Sequence, residues 1–310
     1  MISRRNIRVK VMQQLYVLHN TQEDISIPKQ IQILDKNFQK TRELIIYLLQ
    51  TIVEVAQYAE IDAKNRANKN ITTHADLTVN TKIAGNELLW QILENKSFSA
   101  AVEELKIEIP NDNEMIRKMY LQLIETEEYQ YYIKEEGRDK KKEIDIMNYL
   151  FNHVILPNEL FTATAEEKFS NWDDDIEMVQ NIISIFFTKP SKLGMHQMLG
   201  EDKWNFAKNL LSTVIEKKEH LLTIITPKFK NWDPDRIALI DMILLQLGVA
   251  EFLYFETIPT RVTLNEYIDL AKEYSTPQSG QFINGLLDTL QKELAAEGKI
   301  NKVQFKNSFL

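Results

Sequence analysis

Residues 231–290 constrain the fold more than any other part of the chain, because three helices can be read there together with their start and stop signals. Asp233 is placed to N-cap the first, Pro234 suits its first helical position, and Asp235 complements the positive end of the dipole. Ile237, Ile240, Ile243, Leu244 and Leu247 then recur at the spacing of one buried stripe. Thr257-Ile258-Pro259 ends that run. Thr263 with Glu266 three residues on has the form of a capping box, predicting a second helix that carries Ile268, Leu270 and Ala271. The turn Ser275–Gly280 separates it from a third, expected from Phe282 through Leu286, Leu287 and Leu290.

Composition agrees with an all-α chain. Glycine is scarce, with 8 in 310 residues, and strong helix formers dominate. Cysteine is absent, which removes disulfides, thiolate metal sites and cysteine nucleophiles and fits a reducing cytoplasm. The sequence offers no apolar run approaching the roughly 20 residues of a membrane span, so no membrane partner is expected. Net charge is −8, which argues against a body coated in nucleic acid. The first helix reverses that locally, with Arg4, Arg5, Arg8 and Lys10 and no acid among residues 1–20. The distribution predicts contact with RNA at one place.

That first helix is expected from Arg4 to about Leu18, capped by Ser3, with Ile7, Val11, Leu15 and Leu18 inward. Pro28 marks a loop. A long helix from Gln39 to Asn65 follows, with a stripe at Leu44, Leu48, Ile52, Val55 and Ala59. Residues 66–85 have the composition of a polar linker, and Pro110 breaks the helical pattern that Met115 resumes. Lys140-Lys141-Lys142, bracketed by acids, suits a solvated helix face. Trp172-Asp173-Asp174-Asp175 opens a helix through Phe186, closed by Pro190 and Gly194.

Residue identities go further than periodicity. The run V-T-L-N-E-Y-I-D-L-A-K-E-Y-S, followed by S-x-x-F-I-N-G-L-L-D, resembles the C-terminal core of the NusB family of transcription antitermination factors. S-R-R-N-I-R-V-K-V-M-Q-Q-L-Y, at the other end of the chain, is similar to that family's arginine-rich first helix. The resemblance implies an all-α, NusB-like helical bundle with an additional inserted helical region. Residues 1–20 would be its first helix, 21–200 the insertion, 201–297 the C-terminal core and 298–310 a tail. The family passes almost directly from the first helix to the segment represented here by about 204–230, so residues 21–200 are a departure from its pattern.

The resemblance also implies function: a non-catalytic factor that binds boxA-type single-stranded RNA in ribosomal RNA transcripts. It would do so together with the ribosomal protein NusE, within an antitermination complex on RNA polymerase. Arg4, Arg5 and Arg8 match the arginines with which such proteins hold RNA. Three cations at a helix N-terminus oppose its dipole, and a phosphate backbone offsets that cost, so they are expected to be exposed. Asn6 replaces a basic residue often found there. Phe282 aligns with an aromatic beside the RNA groove, while its helical spacing also allows a core position. Gln281 stands where relatives can carry lysine, and Gln278 and Ser279 in the preceding turn are further RNA candidates. Tyr16 and Asp241 match the face that docks NusE, where tyrosine and an acid suit a basic partner.

Other classes find less support. Ser3-Arg4-Arg5 with Lys10 resembles a twin-arginine export signal, but Gln13 and Gln14 interrupt the apolar segment and residues 15–20 offer no cleavage site. Phosphate loops and H-E-x-x-H are missing, and the five histidines lack ligand spacing, so neither enzyme, cofactor nor metal is expected. An interaction scaffold that keeps the fold without binding RNA is the main rival. The RNA-binding appendage of a ribosomal RNA cytosine methyltransferase shares this fold, but it needs a following cofactor domain.

Overall fold

The computed structural model describes residues 2–21, 26–106, 113–190, 199–229 and 237–303. Their regular structure is all helical, with no strand among the described residues. The chain divides into two compact units, one of Phe38–Met198 and one of Ile2–Asn37 with Leu199–Leu310.

The discontinuous unit is built from α1 (Arg4–Thr21), α11 (Glu201–Glu216), α12 (Lys218–Ile225), α13 (Leu239–Tyr254), α14 (Thr260–Tyr274) and α15 (Ser279–Ala296). Ser3 caps α1 as expected, its Oγ accepting from the Asn6 amide at 3.1 Å. The helix α13 is apolar on nearly every face, so it lies in the middle and packs against α1, α11, α12, α14 and α15. Leu244, Leu247, Tyr267, Leu270, Ile283 and Leu287 form its core with Ile7, Val11 and Leu210. Gly248 permits the closest approach, since a Cβ there would come within 2.8 Å of Leu287 Cδ2. Gly298, at φ +66°, turns the chain out of α15, and Lys299 donates its amide back to Leu294 at 2.9 Å.

Three sequence expectations change here. Pro28 does not mark a loop: α2 (Ile27–Ala67) begins at Ile27, with the proline in the first turn, where its missing N–H is harmless. Residues 27–37, assigned to the insertion from the sequence, belong with α1, because Gln14 Nε2 donates to Gln30 Oε1 at 2.7 Å and to the Gln30 carbonyl at 2.9 Å. Thr263 is not an N-cap: α14 starts one turn earlier, after Pro259, leaving Thr263 and Glu266 free for tertiary bonds. The expected caps Asp233, Pro234 and Asp235, and the breakers Pro110 and Gly194, lie outside the described residues.

In the other unit, the α2 segment from Leu44 to Ala59 carries more than the predicted stripe. Leu44, Ile45, Ile46, Tyr47, Leu48 and Leu49 are all fully buried, so the helix is covered all round. This helix is long and apolar enough by composition to cross a membrane, and 72% of its most apolar window is buried inside the protein, as in a core helix. The polar stretch after it is pinned by α3 (His74–Leu77), whose capping box joins Thr73 to Asp76. Lys69 lies 2.6 Å from the same carboxylate. The helices α4 (Glu87–Leu93), α5 (Lys96–Leu105), α6 (Asn113–Ile124) and α7 (Glu127–Lys134) follow. Next comes α8 (Lys140–Tyr149), which runs into a π-helical turn at Leu150–Ile155. The helices α9 (Glu159–Lys168) and α10 (Trp172–Thr188) complete the unit. The α10 helix opens on its three aspartates as expected, but Asp175 is buried and accepts from Thr41 at 2.7 Å and Asn171 at 2.6 Å.

Candidate nucleic-acid interface

Arg8 is the best-anchored member of the N-terminal cluster, and it is not on the surface. It is 1% exposed and forms a bidentate pair with Glu251 of α13, Nε to Oε1 at 2.7 Å and Nη2 to Oε2 at 3.0 Å. Thr263 and Tyr267 of α14 donate to the same carboxylate at 2.9 and 2.7 Å, and Glu266 lies 3.4 Å from Nη1. The guanidinium also stacks over Phe206 at 5.4 Å and Tyr267 at 5.7 Å. Burial works against its charge, but Tyr267, Glu251 and Glu266 outweigh it and hold its pKa above the ordinary value. Burial first, then the Glu251 carboxylate, pushes the Tyr267 phenol well up, so it remains a donor. The expectation of an exposed Arg8 is therefore corrected: a buried acid in α13 needed a cation, and α1 supplies it.

Arg4 and Arg5 do face solvent. Arg4 lies over Phe206 at 5.5 Å and has no acidic partner among the described residues. Arg5 pairs with Glu273 at 2.7 Å, both side chains 36% exposed. A pair this open is worth at most about 1 kcal/mol, so an incoming phosphate can compete for the guanidinium. The Arg5–Glu273 bond ties the start of α1 to the end of α14. That end abuts the start of α15, where a Cβ on Gly280 would meet Lys272 Cγ at 2.8 Å.

The turn into α15 presents Gln278 and Gln281 to solvent. Ser279, also expected to face RNA, is 2% exposed and opens α15 from inside, donating to Asp241 at 2.7 Å. The helix thus begins three residues before the expected Phe282. Phe282 is half-buried, its ring stacked at 6.4 Å and 22° on Phe229. It stands between the two sequence readings, half-buried with one face against Phe229. Phe282→Ala is expected to lose about 1–3 kcal/mol of stability, below the 3–5 of a fully buried ring; urea unfolding checks it, and a loss above 3 would return the ring to the core.

Tyr16 is exposed at the far end of α1, next to exposed Val17. Asp241, its expected companion in docking a protein, is 5% exposed: its Oδ2 accepts from Ser279 and its Oδ1 is buried without a hydrogen-bond partner among the described residues, so it does not face a partner. Sequence reasoning missed Glu251, Thr263, Tyr267 and Phe206. One signal was available: Glu251 is an acid within the apolar run 243–254, a position that burial forbids without a partner.

Comparison with known proteins agrees with this architecture. A sequence model of the NusB family matches residues 175–292, from the first turn of α10 to near the end of α15. The transcription antitermination protein NusB of Salinibacter ruber is 40% identical over 98 residues, 32% of this chain and 61% of the relative. That of Chloroherpeton thalassium is 36% identical over 98 residues, 46% of its length. That of Finegoldia magna is 40% identical over 97 residues, 71% of its length. The chain thus spans less than two thirds of the first two relatives, and the matched part is about a third of the chain itself. No solved structure matches it. An all-α core matched by the family model, together with a relative 40% identical that is covered over 71% of its length, establishes that the chain belongs to the NusB family.

Proposed function

We propose that this protein is an RNA-binding antitermination factor of the bacterial cytoplasm. In this reading it holds a boxA-type single-stranded segment of ribosomal RNA transcripts, pairs with the ribosomal protein NusE, and joins a complex on RNA polymerase that suppresses premature termination. What supports the reading is the link that Arg5–Glu273 makes from the start of α1 to the end of α14, next to which α15 begins with Gln278, Gln281 and half-buried Phe282. Guanidinium groups hold phosphates without reading sequence, amides read base edges, and an aromatic ring face gives a splayed base something to stack on. Tyr16 with Val17 is the surface we assign to the protein partner. Arg8 belongs to this site only indirectly, since its bonds to Glu251 hold the helix that carries Arg4 and Arg5. The role is one of binding, without catalysis, cofactor or metal. The unit Phe38–Met198 is read as largely additional to the family core.

The test is a gel shift of the full chain with ribosomal leader RNA, with and without NusE. Replacing Arg4 and Arg5 together by alanine should weaken binding and flatten its salt dependence by roughly 0.7 log units per log salt for each lost phosphate contact. Melting should barely move, because neither side chain is buried. An unchanged salt slope excludes these arginines as phosphate contacts. The rival scaffold reading draws on the capture of Arg8 by Glu251 and of Arg5 by Glu273. It requires that the intact protein shift no RNA at all.

A further inference from the structure

Asp241 sits in the first turn of α13, and the residue it holds, Ser279, is the first of α15. One carboxylate thus lies at two helix N-termini, where both dipoles favour negative charge. Its Oδ2 accepts the Ser279 hydroxyl at 2.7 Å. The same hydroxyl oxygen accepts the Thr276 amide at 3.2 Å and lies 2.8 Å from Thr276 Oγ1 and 3.1 Å from Ser275 Oγ. A serine hydroxyl has one proton and two lone pairs. The charged acceptor makes the stronger and shorter bond, so the proton goes to Asp241 and the lone pairs are left for the turn. The Thr276 amide takes one of those lone pairs, and the Thr276 and Ser275 hydroxyls compete for the other. Remove the carboxylate, and the Ser279 proton is released to Ser275 while the Thr276 contacts lose their fixed acceptor.

We infer that Asp241 is a positioning residue for RNA: through Ser279 it fixes the start of α15 and the direction in which Gln278, Gln281 and Phe282 face. The inference rests on the RNA-binding reading above and replaces a direct protein contact, which 5% exposure does not permit. Gly280 follows directly, and a side chain there would meet Lys272, with a Cβ 2.8 Å from its Cγ, so the start of α15 runs close to the end of α14. Gln278 is the residue before Ser279, and Gln281 and Phe282 lie in the same first turn, so a rotation at Ser279 turns all three.

The experiment measures affinity for fluorescein-labelled single-stranded leader RNA, at several salt concentrations, for the full chain carrying Asp241→Ala, Asp241→Asn, Ser279→Ala or the Ala pair. Asp241→Ala and Ser279→Ala should each weaken binding about tenfold, within the range for one misplaced stacking base. The pair should be no worse than either alone, since both remove the same bond. The salt slope should stay as in the parent, because Arg4 and Arg5 are untouched. Asp241→Asn keeps an acceptor oxygen and should recover most of the affinity, and amide exchange at Thr276 should rise only in the alanine variants. Additive losses, or Asp241→Ala binding like the parent while the Arg4/Arg5 variant fails, overturn the inference and leave the RNA reading standing. If Asp241→Ala does not fold, Ser279→Ala decides: full affinity in that variant overturns it. A parent chain that binds no leader RNA removes the RNA reading and this inference with it.

Discussion

Glu251→Ala should lower the stability of the discontinuous unit by about 3–5 kcal/mol, the usual result of breaking a fully buried ion pair from one side. Glu251 is fully buried and accepts from Arg8 twice, Thr263 and Tyr267. Its removal strands a guanidinium that is itself 1% exposed, beside a Glu266 carboxylate 3.4 Å away that reaches only one nitrogen. Arg8→Met should be milder, since Glu251 then keeps two hydroxyl donors and the methionine fills the space over Phe206. Joint replacement, Arg8→Met with Glu251→Leu, should lose less than the two single losses added together. Urea unfolding followed by α-helical circular dichroism measures all three. A loss under about 1 kcal/mol for Glu251→Ala would mean that water reaches the pair and that the network is not what joins α1 to α13 and α14.

Phe161→Ala should have a comparable effect in the other unit, about 3–5 kcal/mol for a buried ring. Phe161 is fully buried, stacked at 5.7 Å on Tyr47 and edge-on at 6.3 Å to Trp172, so one ring joins α9 to both α2 and α10. Tyr47→Phe is the matched control. Its hydroxyl has no hydrogen-bond partner among the described residues, and burial pushes the phenol up to about 12. Deleting it removes nothing that is bonded there, so stability should hold or rise slightly. Amide exchange in peptides from residues 159–188 reads both variants: Phe161→Ala should speed it and Tyr47→Phe should not. Equal protection in Phe161→Ala would show that α9 packs without its ring.

The helical class and most elements were legible because 3.6-residue periodicity is a local property, and α1, α10 and the buried stripes of α13 and α15 follow it directly. What failed to be legible depends on partners far along the chain. Thr263 and Glu266 have the spacing of a capping box, yet α14 already had its start at Pro259, and both side chains went to Arg8 and Glu251 instead. Arg4, Arg5 and Arg8 look alike as sequence, and only the acid 243 positions away separates the third from the others. Asp241 and Ser279 looked like surface groups because an aspartate and a serine normally are; both are buried, and each is bonded to the other. Resemblance supplied the family, and it could not say which of the family's polar positions this chain has turned inward.

The division of the chain within α2 has a consequence for how the protein is made. The helix α1 leaves the ribosome first, but its partners in α11, α13 and α14 lie beyond the whole of Phe38–Met198. At about 5–20 residues per second, the stretch between them takes on the order of ten to thirty seconds to synthesise. Throughout that interval Arg4, Arg5 and Arg8 are all unpaired, and Arg8 gains its acid only when Glu251 emerges. Arg5 likewise gains its acid only with Glu273, so a nascent chain displays two more unpaired arginines than the finished protein, on a ribosome rich in RNA.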